Sequence, residues 1–318
     1  MDIYQGLNNT DKYQNVVIAL GNFDGVHLGH RELIKRTIEI AKLENGTPAV
    51  FTFDPHPMKV LQPDGCPPML LTKEDKIRVL ADLGVKLLII LPFSDSISNL
   101  SPEQFVKDIL VEKLKVKAVV VGYNYNFGYK GAGDAYMLIT LAEKCRFLTV
   151  VVEPVKCGDQ EVSSTLVRQL LLAGNVADAA RFLGYRPFVA SWVVTGDQRG
   201  RQIGFPTANI NLPEDVLFPA TGVYAVKVEV LGRWYGGVAN IGVKPTFNLN
   251  QPKNLEVHLF DFAEDIYGCK IKVEFISRIR REREFSSADE LVKQIKTDLY
   301  KAQEIFASLD EQWIAAGE

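Results

Sequence analysis

A chain of 318 residues, 47% hydrophobic and 24% charged, is long for one core, comfortable for two, and of ordinary globular composition. Its net charge of −3 gives no overall attraction for nucleic acid or an acidic membrane, and no apolar run approaches bilayer-spanning length. The N-terminus lacks the basic and apolar regions of a signal peptide, so a cytoplasmic protein is expected, and the four scattered cysteines Cys66, Cys145, Cys157 and Cys269 form no C-x-x-C pair that would indicate a zinc site or a disulfide framework.

The first predicted element is a strand over the apolar, β-branched run 16–20, followed by the turn Gly21-Asn22-Phe23-Asp24-Gly25-Val26-His27-Leu28-Gly29-His30 and then by apolar residues at helical spacing over 31–41. Strand, glycine-rich turn and helix start together suit a phosphate, because glycines let the backbone approach a ligand closely and a helix N-terminus offers unpaired N–H groups. His27 and His30, three residues apart, are expected on one face of the first helical turn, able to bind the same group. No Gly-Lys-Ser/Thr and no G-x-G-x-x-G is present here, so neither a Walker loop nor a dinucleotide fingerprint is indicated.

Further apolar strands are expected at 49–53, 87–90, 118–121 and 148–152, separated by helical patterns. This alternation predicts a parallel sheet covered on both faces, with chemistry at the carboxyl ends of its strands. After the second strand, Asp54-Pro55-His56-Pro57 is expected to stay extended and out of helix, presenting Asp54 and His56. After the fourth, the loop from Gly122 to Asp134 alternates aromatics with glycines, and its aromatic planes with an amide suit a flat heterocycle. After the fifth, Ser163-Ser164-Thr165 reads as a hydroxyl-rich helix cap with Arg168 one turn in, which makes a second anion site facing the first.

Two short helices broken at Gly174-Asn175 lead to Gly184-Tyr185-Arg186-Pro187, where the helical pattern stops. The expected domains are therefore 1–185 and 186–318. Beyond the boundary, short alternating strands at hairpin spacing over 189–194, 222–230, 235–242, 255–260 and 270–276 predict an antiparallel barrel. Ser287-Ala288-Asp289-Glu290 reads as a capping box opening a long closing helix. Inside the barrel region, the stretch from Gly196 to Asn209 joins Gly200, Arg201 and Gly204 to Pro206-Thr207-Ala208-Asn209. Thr207 and Asn209 share one side of an extended chain, where their oxygens suit Mg²⁺. Glu256 and His258 share the polar face of their strand, and the residues alone read them as solvated.

His-x-Gly-His at the first strand-to-helix turn is similar to the nucleotidyltransferase signature. The longer Gly21–His30 stretch resembles the bifunctional riboflavin kinase/FMN adenylyltransferase family of bacteria, and the resemblance extends over about residues 15–300 with six or more motifs in order. It implies a Rossmann-like α/β nucleotidyltransferase domain with a parallel sheet, then a flavokinase-like antiparallel β-barrel closed by a long helix. It implies ATP and Mg²⁺ with riboflavin, FMN and FAD as substrates and products, no nucleic acid, no membrane, and transient self-association as compatible. By the same resemblance Gly21, Asn22, Phe23, Asp24, Gly25, Gly29, Ser163, Ser164, Thr165, Gly200, Arg201, Gly204, Pro206, Thr207 and Asn209 bind nucleotide. Asp54, His56, Pro57, Asn124 and Arg278 border flavin; His27, His30 and Arg168 stabilise charge in adenylylation; and Glu256 is the general base in phosphorylation. Two rivals stay open: adenylylation of another phosphate ester, such as a pantetheine or nicotinamide precursor, and a flavin-binding regulator without catalysis.

Overall fold

The computed structural model describes all residues except 9, 11, 197–199, 201–202, 244–252 and 316–318. The chain divides into two compact units, Met1–Ser164 and Thr165–Glu318. The first is built on six strands: β1 (Asp2–Gln5), β2 (Val16–Leu20), β3 (Pro48–Phe53), β4 (Leu87–Leu91), β5 (Val116–Gly122) and β6 (Leu148–Val152). All pair in parallel, in the order β1-β4-β3-β2-β5-β6.

Alternation along β2 explains why its five residues are all apolar. Val16, Ile18 and Leu20 enter a core with Phe51, Phe105 and Leu138. Val17 enters another with Leu33, Ile40 and Ala41 of helix α1 (Leu28–Leu43). Successive strands run one way from β2 through β3 to β4, and the other way from β5 to β6, so the direction of winding switches between β2 and β5. That is where an open α/β sheet leaves a crevice for ligands. The loops that follow β2 and β5 are the glycine-rich turn 21–27 and the aromatic loop 123–128.

The sequence pattern missed β1, which has no apolar run and holds only the sheet edge beside β4, with Asp2 opposite Leu87. It also missed the hairpin of β7 (Lys156–Cys157) and β8 (Gln160–Glu161), two residues a side and largely exposed.

In the second unit, the helices Ser164–Ala173 and Val176–Leu183 precede six strands: β9 (Phe188–Val194), β10 (Ala208–Ile210), β11 (Gly222–Val230), β12 (Arg233–Val243), β13 (Lys253–Leu259) and β14 (Lys270–Arg280). They close into an antiparallel barrel in the order β10-β13-β12-β11-β14-β9. The helix Ala288–Ala315 covers one side, where Ala302 packs on Ala225 and Ile276 and is flanked by Phe260, Ile305 and Phe306.

Two details at the end of the chain concern the closing helix. At the end of β14, Arg280 Nε reaches both oxygens of buried Asp298, at 3.1 and 2.9 Å, and Gln294 donates to Asp298 Oδ1 at 2.8 Å. This pair fastens the closing helix to β14. The capping box is offset by one residue: Glu290 N donates to Ser287 Oγ at 3.2 Å, but the Glu290 carboxylate returns to the backbone N and hydroxyl of Ser286.

Candidate active sites

In the turn after β2, the left-handed backbone falls at Phe23, Gly25 and Val26, with φ of 49°, 79° and 37°. Only the glycine adopts this without strain; for a β-branched valine it is an outlier that the surroundings must hold. Val26 is fully enclosed, its N–H donates to Phe23 O, and its own carbonyl accepts from Arg31 Nε at 3.3 Å. Asp24 is buried, its Oδ1 accepting from Leu70 N at 2.8 Å, while its carbonyl accepts from Ser164 Oγ at 2.9 Å. Asp24 thus ties the turn to Ser164, the last residue of the first unit. Asn22 O accepts from Thr52 Oγ1 and from Lys76 Nζ, each at 3.2 Å. Gly21 lies against the Phe23 ring, at 3.2 Å from where a β-carbon would be.

His27 is the N-cap of α1, and its Nδ1 accepts from His30 N at 3.4 Å. The two imidazoles stack, with centroids 3.7 Å apart and planes 18° from parallel. Gly29 lies close beside them: a β-carbon there would sit 3.1 Å from His27 Cε1, so the ring would have to shift slightly. Burial, then the neighbouring His27 and Lys76, holds the His30 pKa well below the ordinary histidine value, so His30 is neutral at pH 7.

After β3, the Asp54–Pro55 bond is cis. The segment is not wholly extended as expected: Pro57 starts helix α2 (Pro57–Leu61), and His56 caps it through Nδ1, which accepts from Met58 N at 3.2 Å. Proline fits the first helical position, where its missing N–H is not needed. Asp54 pairs with Lys73 of helix α3 (Lys73–Asp82) at 2.6 Å. Asp24, Thr52, Asp54, His56, Lys73 and Lys76 line one cleft with the apolar side chains of Leu88 and Ile90 behind them.

The aromatic loop after β5 is only partly as expected. Tyr125 and Phe127 stack on each other, 5.7 Å apart, and pack into the sheet's core, so their planes serve the fold. Burial raises the Tyr125 pKa. Tyr123 is exposed and donates to Glu161, and Asn124 is exposed at the strand end, its carbonyl accepting from Asn126 Nδ2 at 3.0 Å. Gly128, with φ of 74°, lies where a β-carbon would be 2.7 Å from the backbone N of Pro102. Gly128→Ala is expected to destabilise the first unit by about 2 kcal/mol or more, from left-handed strain plus overpacking. Thermal unfolding would show it as a lowered Tm.

Ser163 and Ser164 open the helix Ser164–Ala173, and Thr165 and Arg168 lie on its first turns. Arg278 does not present its guanidinium to an open groove. Nη1 donates to Ala173 O at 3.2 Å, Nη2 donates to Thr221 O, and the group lies over the Tyr224 ring.

On the barrel, predicted residues from two distant segments meet. Asn209 stands opposite Glu256 in the β10–β13 register, and Thr207 Oγ1 lies 3.5 Å from Glu256 Oε2. Asn254, which the sequence reading passed over, donates from Nδ2 to Glu256 Oε1 at 2.7 Å. Its position two residues before Glu256 on the same strand face was the available signal. Glu256 is therefore held from both sides, unlike an ordinary solvated carboxylate. The preceding loop folds over this group. Phe205 N donates to Gly200 O at 2.8 Å, Gly204 turns with φ of 85°, and Pro206 O lies 2.8 Å from His258 Nδ1. A β-carbon on Gly200 would fall 2.3 Å from Phe205 O and 3.3 Å from Thr207 Oγ1. Arg201, and residues 197–199 of the Gly196–Asn209 stretch, lie outside the described residues.

Among the described residues no three His, Cys, Asp or Glu side chains gather as a metal site, and no helix is long and apolar enough to cross a membrane. The hard-oxygen set of Thr207, Asn209 and Glu256 does fit a cation that keeps its waters and bridges phosphates.

Comparison with known proteins follows the same division. Residues 9–166 match the model of the FAD synthetase family and residues 183–306 that of riboflavin kinase. The bifunctional riboflavin kinase/FMN adenylyltransferase of Bacillus subtilis is 42% identical over 92% of this chain and 93% of its own. Its counterpart in Escherichia coli K12 is 38% identical over 96% and 98%. A solved structure named a macrolide-efflux protein, from Streptococcus pneumoniae, superposes with a TM-score of 0.87 at 33% identity, covering 95% of this chain and 98% of that one.

Proposed function

The chain belongs to the bifunctional riboflavin kinase/FMN adenylyltransferase family, and from that membership we propose which residues carry its two reactions. It is a transferase that phosphorylates riboflavin to FMN with ATP and then joins FMN and ATP into FAD, releasing pyrophosphate.

Phosphorylation is assigned to the barrel. Glu256 takes the proton of the ribityl 5′-hydroxyl as its oxygen attacks the γ-phosphorus of ATP, and ADP leaves. Asn254 and Thr207 aim the carboxylate. Thr207 and Asn209 would hold Mg²⁺, which when bound offsets phosphate charge. Gly200, Arg201, Gly204 and Pro206 are assigned to the loop over the nucleotide, and Arg278, with its donors on backbone carbonyls, is assigned to shaping the flavin border rather than touching flavin.

Adenylylation is assigned to the α/β unit. The FMN phosphate is already an anionic nucleophile, so no base is needed: its oxygen attacks the α-phosphorus and the bond to the leaving pyrophosphate breaks. His27, His30 and the N-terminus of α1 stabilise the charge that develops, with Ser163, Ser164, Thr165 and Arg168 on the triphosphate by the family's motif. Asp54, His56, Pro57 and Asn124 border the flavin. The functional boundary is placed at 185/186. Its support is that the FAD synthetase match ends at 166 and the riboflavin kinase match begins at 183. The reactions are placed in the cytoplasm, and transient self-association is compatible with them.

The observation that carries the assignment is the meeting of Asn209 and Glu256 on adjacent strands with Thr207, just before β10. The test is to incubate the purified protein with riboflavin, ATP and Mg²⁺ and separate flavins over time, then repeat with FMN supplied. FMN followed by FAD is expected. FAD from FMN but none from riboflavin would remove the barrel assignment, and conversion of neither would favour the binding-regulator reading.

A further inference from the structure

Lys76 is a lysine whose position the motifs do not account for. It lies on α3, and its Nζ donates to Asn22 O at 3.2 Å, against the turn that carries His27 and His30. An ammonium has three donors. Among the described residues no carboxylate comes within ion-pair distance of this one, because the nearby Asp54 is engaged by Lys73 at 2.6 Å and Asp24 accepts from Leu70 N. Lys76 is partly buried, and with one neutral carbonyl as its partner its ammonium has donors left for an anion. Burial lowers the Lys76 pKa, and Asp24 and Asp54 oppose that shift.

We propose that Lys76 binds the phosphate monoester of FMN and positions it as the nucleophile for attack on ATP. This rests on the assignment of adenylylation to the turn 21–30 and the segment 54–57. Lys76 stands between the two, touching Asn22 and lining the cleft with Asp54 and His56. The same cleft has an apolar wall, Leu88 and Ile90 among it, which suits a flavin better than a triphosphate. Lys76 also acts electrostatically on His30, so the anion it holds lies within range of the histidine pair. A cation there offsets the repulsion between two phosphate groups that must approach to bonding distance. Charge-assisted bonds to phosphate are about twice as strong as neutral ones, enough to weigh on the affinity.

The test uses the full chain. Lys76→Gln and Lys76→Arg are compared in FMN adenylylation with FMN varied at saturating ATP and then ATP varied at saturating FMN, with riboflavin phosphorylation followed on the same preparations. Lys76→Gln is expected to raise the KM for FMN by about 10- to 100-fold, the range for a hydrogen bond to a charged group, with the KM for ATP within about twofold. An unchanged KM for FMN would overturn the proposal. So would a rise confined to ATP, which would mean the triphosphate is the anion held. Should Lys76→Gln lose both reactions, as a folding defect would cause, Lys76→Arg decides. Its fork does not reproduce a compact ammonium, so the KM for FMN alone should rise, and equal KM values to the unmodified chain would refute the role. If the unmodified chain makes no FAD from FMN, the site assignment itself has failed, a separate result.

Discussion

Glu256→Gln is expected to slow riboflavin phosphorylation by about 10²–10⁴-fold, the usual contribution of a positioned general base, and to leave FMN adenylylation within about twofold. The substitution is isosteric, and the amide oxygen can still accept from Asn254 Nδ2, which now donates to Oε1 at 2.7 Å. What changes is the ability to take a proton and the charge facing Thr207 Oγ1. Substrate affinity should fall less than turnover, because the lost interaction forms as the hydroxyl proton moves. Initial rates of both reactions on one preparation give the comparison. A kinase undiminished by the change would remove Glu256 as the base, and loss of both reactions together would point to a folding defect. Asn254→Ala supplies an independent check, since freeing one carboxylate oxygen should reduce turnover while leaving the base in place.

Much of this architecture was legible because the buried strands announce themselves chemically. Strands that face a core on both sides, such as β2 and β5, need continuous apolar residues, and the barrel hairpins alternate across a tight turn such as Leu231-Gly232. β1 left no such mark, since an edge strand of Asp2, Ile3, Tyr4 and Gln5 is specified by its neighbour β4 and not by its own pattern. Residues whose role depends on what approaches from far along the chain were the hardest to read. Tyr125 and Phe127 look like a stacking platform in sequence and are core side chains in the fold. Arg280 looks like one of several surface charges until Asp298 arrives from the closing helix. Lys76 reads as the polar face of an ordinary helix, and only tertiary packing brings its ammonium to the Asn22 carbonyl. The motif residues were easier because a strand-to-turn-to-helix context restricts where backbone and histidine can be.

His27→Ala is expected to slow adenylylation by about 10²–10³-fold, as when a single donor aimed at transition-state charge is removed, with riboflavin phosphorylation nearly unchanged. No residue assigned to the kinase reaction lies in 1–164. The alanine also deletes the side-chain N-cap of α1, a loss of about 1 kcal/mol in stability, so the rate must be separated from the fold. His27→Asn does this, because asparagine is a strong N-cap yet has no imidazole. It should unfold near the temperature of the unmodified protein and still lack most of the adenylylation rate. The pair of rings explains why one histidine cannot stand in for the other. With centroids 3.7 Å apart, two imidazolium charges would repel, and burial already keeps His30 neutral. His27 holds the capping position at the head of α1 and His30 lies a turn further along, so removal of the His27 ring takes away a group whose place the His30 ring does not fill. If His27→Asn keeps full adenylylation, the histidine serves only as a cap, and the charge stabilisation would have to come from Arg168 and the helix N-terminus alone.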